Sequence, residues 1–410
     1  MKTFISFKEA FDLTLSNISF AESEILAIDK LTGRILAEDI VAKVDCPSIS
    51  TSRKDGFAVI SADLLEAGPE NPVALDIVGN LAAGASATEM IIKSGQTVRI
   101  TTGAPLPEGA DAVLSEEFCH QNAGKIIAFN TAESGRNIHQ QGRDIRRSEI
   151  VAVQNQKLVP ALIGLVAASG LDSAPVYKNP QVAVIATGDE VLPPGAPMSK
   201  GKLYASNMVE ICAWLSMLGL SYATELVPDR EDKIKNAVTR HLSDADVFLT
   251  SGGAWGSERD LILDVVDSLN WQGIYHRVRM GPGKPVAFGL LEQKPFFCLP
   301  GGPPSNEMAF LQLALPALLK MKGETSIVFP MTLARLSETV VGKKDWTDFV
   351  HARLENQNDQ LIVYPARLES GLQSMARKEA LIIVPEDCEE IGAGEIVDVQ
   401  LLVSSAATRF

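Results

Sequence analysis

The sequence predicts a multidomain α/β plus β fold, and three observations carry that reading. Between Gln181 and Leu315, short wholly apolar runs alternate with helical patterns, the signature of a Rossmann-like three-layer domain with helices on both faces of a parallel sheet. From Cys46-Pro47 to about Asn137, and again beyond about Thr325, short segments rich in Val, Ile and Thr stand between Gly and Pro turns, which predicts β-rich domains. Helical patterns flank the first of these stretches, so it reads as a β-rich insert in a split helical unit.

The elements follow in order. Ser6 and Glu9 form a capping box before Ala10, Phe11, Leu13 and Leu15, predicting an amphipathic helix. A second, broken helix is predicted over Ser23–Ala37, and the helical unit resumes near Pro160. Val182-Ala183-Val184-Ile185-Ala186 has the composition of a strand buried on both faces and ends in Thr187-Gly188-Asp189-Glu190. Asn207 and Glu210 open a helix through Ile211, Trp214, Leu215 and Leu218, which Gly219 stops. Val247–Thr250 leads into Ser251-Gly252-Gly253. Phe296–Leu299 leads into Pro300-Gly301-Gly302-Pro303, before a helix with Met308, Phe310, Leu311, Leu313 and Leu315. No tandem repeat of fixed period occurs.

Composition excludes several classes. The chain is 46% hydrophobic and 21% charged, too apolar for a disordered tail. Acidic residues outnumber basic ones by 51 to 37, a net charge of -14, with no basic block to meet a nucleic acid backbone. The most apolar stretch, Leu158–Leu171, is interrupted by Pro160, Gly164, Ser169 and Gly170, so no membrane span is expected and a cytoplasmic protein is. Cys46, Cys119, Cys212, Cys298 and Cys388 never form a C-x-x-C pair, and the five histidines show no zinc-ligand spacing.

In an open parallel sheet, ligands bind at the carboxyl ends of the strands. T-G-D-E, S-G-G and P-G-G-P all follow predicted strands, and their small residues let backbone approach a phosphate or heterocycle. Asp189, Glu190, Asp229, Glu258 and Asp260 gather at the same end, where acidic side chains equally serve as turn and helix-start residues. Carboxylates beside a phosphate cradle repel it unless a divalent cation intervenes, which points to a phosphorylated ligand with Mg2+. Lys284, set among prolines and glycines in Gly281-Pro282-Gly283-Lys284-Pro285, suits an oxyanion or a solvated turn. Arg277 and Arg279 alternate with Val278 and Met280, which describes either an anion-binding face or an exposed strand edge. In the insert, Arg53-Lys54-Asp55-Gly56-Phe57-Ala58, Thr102-Gly103-Ala104-Pro105 and Asn137–Ile145 read as turns.

Taken together these blocks resemble the molybdopterin molybdenumtransferases, the family of bacterial MoeA proteins and the gephyrin E domain. The matching motifs are D-G-F-A at Asp55, T-G-A-P-L-P-E-G-A-D-A-V from Thr102, G-R-N-I and G-R-D-I around Asp144, T-G-D-E from Thr187, Y-A-S-N from Tyr204, P-D at Asp229, S-G-G to E-R-D ending at Asp260, P-G-K-P-V-A-F-G from Pro282 and L-P-G-G-P-P-S from Leu299. Their order holds across nearly the whole chain. The resemblance implies a split helical domain over 1–44 and 146–178, a β-rich insert over 45–145, an α/β molybdopterin-binding domain over 179–325 and a C-terminal β-barrel-like domain over 326–410. It also implies a homodimer in which one subunit's α/β domain meets the insert and C-terminal domain of its partner. The implied reaction inserts molybdate into adenylylated molybdopterin with release of AMP, assisted by magnesium. The implied partners are a molybdopterin-adenylylating protein upstream and a molybdoenzyme or carrier accepting the cofactor.

The resemblance also implies site roles. Asp229 and Asp260 would position magnesium. Thr187, Gly188, Asp189, Glu190, Ser206, Asn207, Ser251, Gly252, Gly253, Pro300, Gly301 and Pro303 would surround the nucleotide or pterin, with Thr102 from the insert and Ser370 completing an oxyanion pocket. Lys284 and Arg277 would attract molybdate, while Asp55 and Asp144 would orient water or a proton. The chain departs from the family pattern at Arg53-Lys54, which adds two charges, at Ala205, which removes a carboxylate, at Trp255, and at Gly281 and Trp346, which replace usual cations. A non-catalytic pterin carrier or assembly partner is therefore the alternative.

Overall fold

The computed structural model describes residues 1–85, 90–252, 261–366 and 371–402. Two compact units form, one of Met1–Glu24 with Tyr177–Phe410 and the other of Ile25–Val176.

The first unit is built on one twelve-stranded sheet. In chain order its strands are β1 (Lys2–Ser6), β2 (Val182–Thr187), β3 (Tyr222–Val227), β4 (Val247–Ser251), β5 (Gln272–Gly281), β6 (Ala287–Leu291), β7 (Lys294–Leu299), β8 (Met331–Leu336), β9 (Thr347–Gln357), β10 (Gln360–Pro365), β11 (Ala380–Val384) and β12 (Ile396–Leu401). Its helices are α1 (Phe7–Ser16), α2 (Ser206–Met217), α3 (Glu231–His241), α4 (Leu261–Ser268), α5 (Pro303–Ala309), α6 (Leu315–Met321) and α7 (Gly371–Arg377), with a π segment, Phe310–Ala314, joining α5 to α6.

Strands β3, β2, β4 and β7 lie side by side and parallel, as the apolar runs predict. Every residue of β2 is buried, and alternation sorts its side chains between two cores. Val182 and Val184 join Val247 and Leu249 beneath α2 and α5, while Ala183 and Ile185 join Phe248 beneath α3 and α4. Helices cover both faces, so the three-layer expectation holds. Gly219 ends α2 as predicted: at φ +67° it donates to the Ser216 carbonyl (3.1 Å), and Leu220 donates to that of Leu215 (2.9 Å), a Schellman arrangement that satisfies the last carbonyls.

At α1, Ser6 Oγ accepts the Glu9 N–H at 3.1 Å. The Glu9 carboxylate pairs instead with Lys2 at 2.6 Å, so the box closes on one side only. This helix packs on β5 and α6 through buried Ala10 and Thr14, whose hydroxyl lies 2.8 Å from the Tyr275 hydroxyl. It lies in the compact unit of Met1–Glu24 with Tyr177–Phe410; the resemblance groups 1–44 with 146–178. At the carboxyl end, β8, β12, β11, β9 and β10 pair in succession, and β10 returns to β8. This closed five-stranded barrel holds Leu336, Ala352, Val363, Ile382 and Val399 inside.

The second unit holds a six-stranded sheet in the order Ala112–Ser115, Gly56–Val59, Gln96–Ile100, Val73–Leu81, Lys125–Ala128, Cys119–Asn122, the expected β-rich insert. A separate core of Leu31, Leu36, Ile40, Leu158, Leu162 and Val166 surrounds the helix Pro160–Ala168. The broken helix expected over Ser23–Ala37 does not form. Ser23–Ala27 is extended, only Ile28–Lys30 makes a single 3-10 turn, and Leu36 bridges Val176. Gly33 at φ +74° interrupts the helical path, and the β-branched and apolar positions are used for extended pairing.

Candidate functional site

The chain leaves β2 toward β3 on one side, while β4 lies on the other side of β2. The connections therefore diverge between β2 and β4, and a crevice opens at such a switch point. A pocket of about 330 Å³ lies there, lined by eight residues expected at the site: Thr187, Glu190, Ser206, Asn207, Ser251, Gly252, Gly301 and Pro303. They come from four segments of the chain. Tyr204, the first residue of the Y-A-S-N motif, adds an apolar wall together with Leu203, Met208 and Leu372, which no motif announced.

The strand-end loops touch backbone to backbone. Gly252 sits at φ +114°, and a Cβ there would lie 2.4 Å from the Thr187 carbonyl oxygen, so only glycine permits this approach. Gly188, at φ +147°, is closed in by side chains instead: a Cβ there would lie 2.6 Å from Val191 Cγ2. Two amides tie the loops together. Asn306 Nδ2 donates to Ser251 Oγ (3.0 Å) and to the Pro300 carbonyl (2.7 Å), all buried. Asn207 Nδ2 donates to the Gly301 carbonyl (2.8 Å) and to Ser251 Oγ (3.3 Å). Asn306, one turn into α5, is a site residue that sequence reasoning missed, since nothing local distinguishes it from a helix surface amide.

Asp229 follows β3, and its N–H donates to the Asp189 carboxylate at 3.2 Å. Although its outer edge is solvent-exposed, desolvation first, and then Glu190 and Asp189, push its carboxyl above the usual range. This set of hard oxygen donors suits a divalent cation. Among the described residues, no three His, Cys, Asp or Glu side chains form a ready ligand cluster. Gly253, Asp260 and Ser370, with Glu258 and Trp255, lie outside the described residues.

Lys284 and Arg277 do not line the pocket. Lys284 Nζ sits 5.6 Å from the Phe4 ring centre and 5.9 Å from that of Trp346, while Lys343 Nζ stands 3.7 Å over Trp346. Arg279 lies 5.9 Å from the Phe4 ring centre and donates to the carbonyls of Asp345 and Phe4, each at 2.9 Å. Three cations thus gather around two rings. The edge-strand reading of Arg277 and Arg279 is corrected, because β5 lies between β6 and β9. Arg277 itself, at φ +62°, departs from regular strand geometry and is exposed. Gly281 has a packing reason: a Cβ there would lie 2.0 Å from Asp348 Oδ1.

In the second unit, Asp55 accepts the N–H (2.7 Å) and hydroxyl (3.0 Å) of Thr102, and the Thr102 N–H is the main cause of its lowered pKa. The two turns are further stitched by Gly103 N–H to the Ser52 carbonyl (2.8 Å), and Arg53 N–H reaches the Asn137 carbonyl (2.8 Å). Asp144 pairs with His139 Nε2 at 3.1 Å, a partner that no motif assigns.

A barrel-ended chain with a switch-point pocket cradled by three glycine-rich strand ends defines a multidomain ligand-binding protein of the α/β type. Comparison with known proteins makes the assignment specific. Residues 5–170 match the MoeA N-terminal region (domain I and II), 183–320 a probable molybdopterin binding domain, and 334–402 the MoeA C-terminal region (domain IV). The chain belongs to the MoeA family. It is 31% identical to molybdopterin molybdenumtransferase 2 of Mycobacterium tuberculosis over 88% of this chain and 91% of that protein. It is 30% identical to the molybdopterin molybdenumtransferase of Bacillus subtilis over 93% and 90%. The crystal structure of a molybdopterin biosynthesis MoeA protein from Pyrococcus horikosii matches with a TM-score of 0.87 at 29% identity, covering 98% of this chain and 100% of that one.

Proposed function

We infer that the chain is a molybdopterin molybdenumtransferase of molybdenum cofactor biosynthesis, inserting molybdate into adenylylated molybdopterin with release of AMP. The observation that carries the reading is the convergence of eight motif residues on one pocket at the switch point of a MoeA-family chain. Leu203, Tyr204, Met208 and Leu372 offer an apolar bed for a flat heterocycle, while Asn207, Ser251 and Glu190 supply the few polar contacts that orient it. The amides at the start of α2 favour an anionic group.

Asp229, with Asp260, would hold Mg2+, which when bound would neutralise phosphate charge as the adenylate is cleaved. Lys284 and Arg277 would draw the doubly negative molybdate, and Asp55 and Asp144 would orient water or a proton. The reading includes a homodimer, a cytoplasmic site of action, an adenylating protein that supplies the substrate, and a molybdoenzyme or carrier that takes the product. Among the described residues, no helix is long and apolar enough to cross a membrane.

The test is AMP release from adenylylated molybdopterin with and without molybdate. Molybdate-dependent release, lost in Lys284→Ala, is the expected result. Tight pterin binding without molybdate-dependent release would replace the transferase reading by that of a carrier. Sedimentation of the purified chain checks the homodimer.

A further inference from the structure

The helix α7 has seven residues, too few to stand by itself, so its place is decided by what it docks against. It packs on α5 and β9, and the side chains it buries there are Ser374 and Met375. Its first residue, Gly371, comes so close to α5 that a Cβ would lie 3.2 Å from Pro304 Cγ. The next, Leu372, is half exposed and lines the pocket. Among the described residues it is the one pocket wall that the barrel segment supplies.

The other end of α7 is held by charge. Lys378, the residue after the helix, has a side chain only 8% exposed and donates from Nζ to Oε1 of Glu307, whose side chain is 1% exposed. The same ammonium donates to the Met375 carbonyl at 2.9 Å. One group therefore closes the last turn of α7 and ties it to α5. Glu307 follows Pro303 by four residues, which places it on the face of α5 that begins at the pocket. Two further elements meet it there: His351 Nε2 of β9 stands 3.4 Å from Oε2, and the Glu210 carboxyl of α2 reaches the same carboxylate.

The two kinds of contact under α7 resist displacement differently. Apolar burial is non-directional, and a flexible methionine re-packs as its helix slides. Moving one member of a buried ion pair leaves the other as an uncompensated charge, which is strongly unfavourable. The Glu307–Lys378 pair therefore fixes the register of α7 on α5. Roughly 8 Å of helix axis, Leu372 to Arg377, separates this anchor from the pocket wall, and neither Glu307 nor Lys378 lines the pocket.

We propose that Lys378 and Glu307 are positioning residues of the pocket: their ion pair seats α7 on α5 and so holds Leu372 in place as a wall for the bound heterocycle. The effect on binding rests on the function proposed above; the seating of α7 does not.

Hydrogen exchange in the ligand-free full chain reads the seat, and a mutant cycle on adenylylated molybdopterin binding reads its consequence. Lys378→Met keeps an unbranched side chain without the charge, and should speed exchange at Met375–Arg377 by about tenfold while β4 keeps its protection. The double variant Glu307→Gln/Lys378→Met leaves no bare partner behind if the single change fails to fold, and should show the same acceleration. Lys378→Met should raise the dissociation constant of adenylylated molybdopterin by about tenfold in the wild-type background, and by less than about twofold, the range of ordinary non-additivity, in Leu372→Ala. A general loss of structure, or a direct pull of the ammonium on an anionic ligand, would give the same factor in both backgrounds. Equal factors in the two backgrounds, no change in either included, or unchanged exchange at Met375–Arg377 in a folded variant, overturn the proposal. A wild-type chain that binds no adenylylated molybdopterin refutes the proposed function instead, and exchange at α7 then decides the seat by itself.

Discussion

The sharpest consequence of the site's construction concerns Asn306, which is 2% exposed and holds two strand-end loops together. Replacing it by Leu keeps its branched shape, with bulkier ends, but removes both donors, to Ser251 Oγ at 3.0 Å and to the Pro300 carbonyl at 2.7 Å. Ser251 keeps the Asn207 amide at 3.3 Å, so its loss is the smaller, about 1 kcal/mol. The buried Pro300 carbonyl loses its side-chain donor, which costs about 1–3 kcal/mol. Burial of the new methyl groups returns roughly 1 kcal/mol, leaving a net destabilisation of about 2 kcal/mol for the α/β unit. Urea unfolding followed by hydrogen exchange at β4 reads that unit separately from the insert, which global unfolding does not. Release of the Pro300–Gly301 loop should also weaken adenylylated molybdopterin binding by about tenfold, equivalent to roughly 1.4 kcal/mol. A stability change below about 0.5 kcal/mol, the level of an ordinary surface substitution, together with unchanged affinity would show that this amide does not brace the loops.

Three further outcomes follow from the same geometry. Gly252→Ala must place a Cβ 2.4 Å from the Thr187 carbonyl at φ +114°, and should cost about 2–4 kcal/mol from strain and overlap; a neutral result in urea titration would mean the loops part freely. Asp229 has a raised pKa in the folded chain, so ionising it opposes folding, and stability falls as pH rises above the ordinary Asp value toward the raised one. Asp229→Asn should therefore melt higher than wild type at neutral pH without metal and gain nothing from magnesium; equal responses to magnesium in both proteins would remove Asp229 from the metal site. Trp346→Leu removes the ring beside Lys284 and Lys343. With cation–π contacts worth about 0.5–1 kcal/mol each, the molybdate concentration for half-maximal AMP release should rise by roughly tenfold while pterin affinity holds; an unchanged molybdate dependence would show that the ring does not position these ammonium groups.

What the sequence made legible was whatever depends on short range. Val182–Ala186 is apolar at every position because helices cover both sides, and Gly219 stops α2 because only a left-handed residue completes that cap. Glycines after β2, β4 and β7 announced the crevice because close backbone approach is a local demand, visible as composition. The expectation over Ser23–Ala37 failed for the converse reason. Ile25, Leu26, Ile28 and Leu31 look helical in isolation, and the bridge from Leu36 to Val176 that helps decide their conformation lies far away in sequence. Asn306, Leu372 and the Glu210–Glu307–Lys378 cluster were illegible on the same ground. Each becomes meaningful only when α2, α5 and α7 are brought together, and no periodicity encodes which polar residue will face which.

Ala205 shows how a departure from a family pattern can be misjudged when only charge is counted. From the sequence its lack of a carboxylate reads as a loss at the site. In the structure it is the N-cap of α2, buried, with no side-chain acceptor for the amides of the first turn. A carboxylate at that position would accept those N–H groups and place a negative charge at the mouth of the pocket that Ser206, Asn207 and Met208 line. With alanine, the amides and the positive end of the helix dipole stay directed at the cavity, where an anionic ligand group would meet them. The substitution that subtracts a charged residue would thus add to the attraction for an anionic ligand group, through backbone rather than side chain.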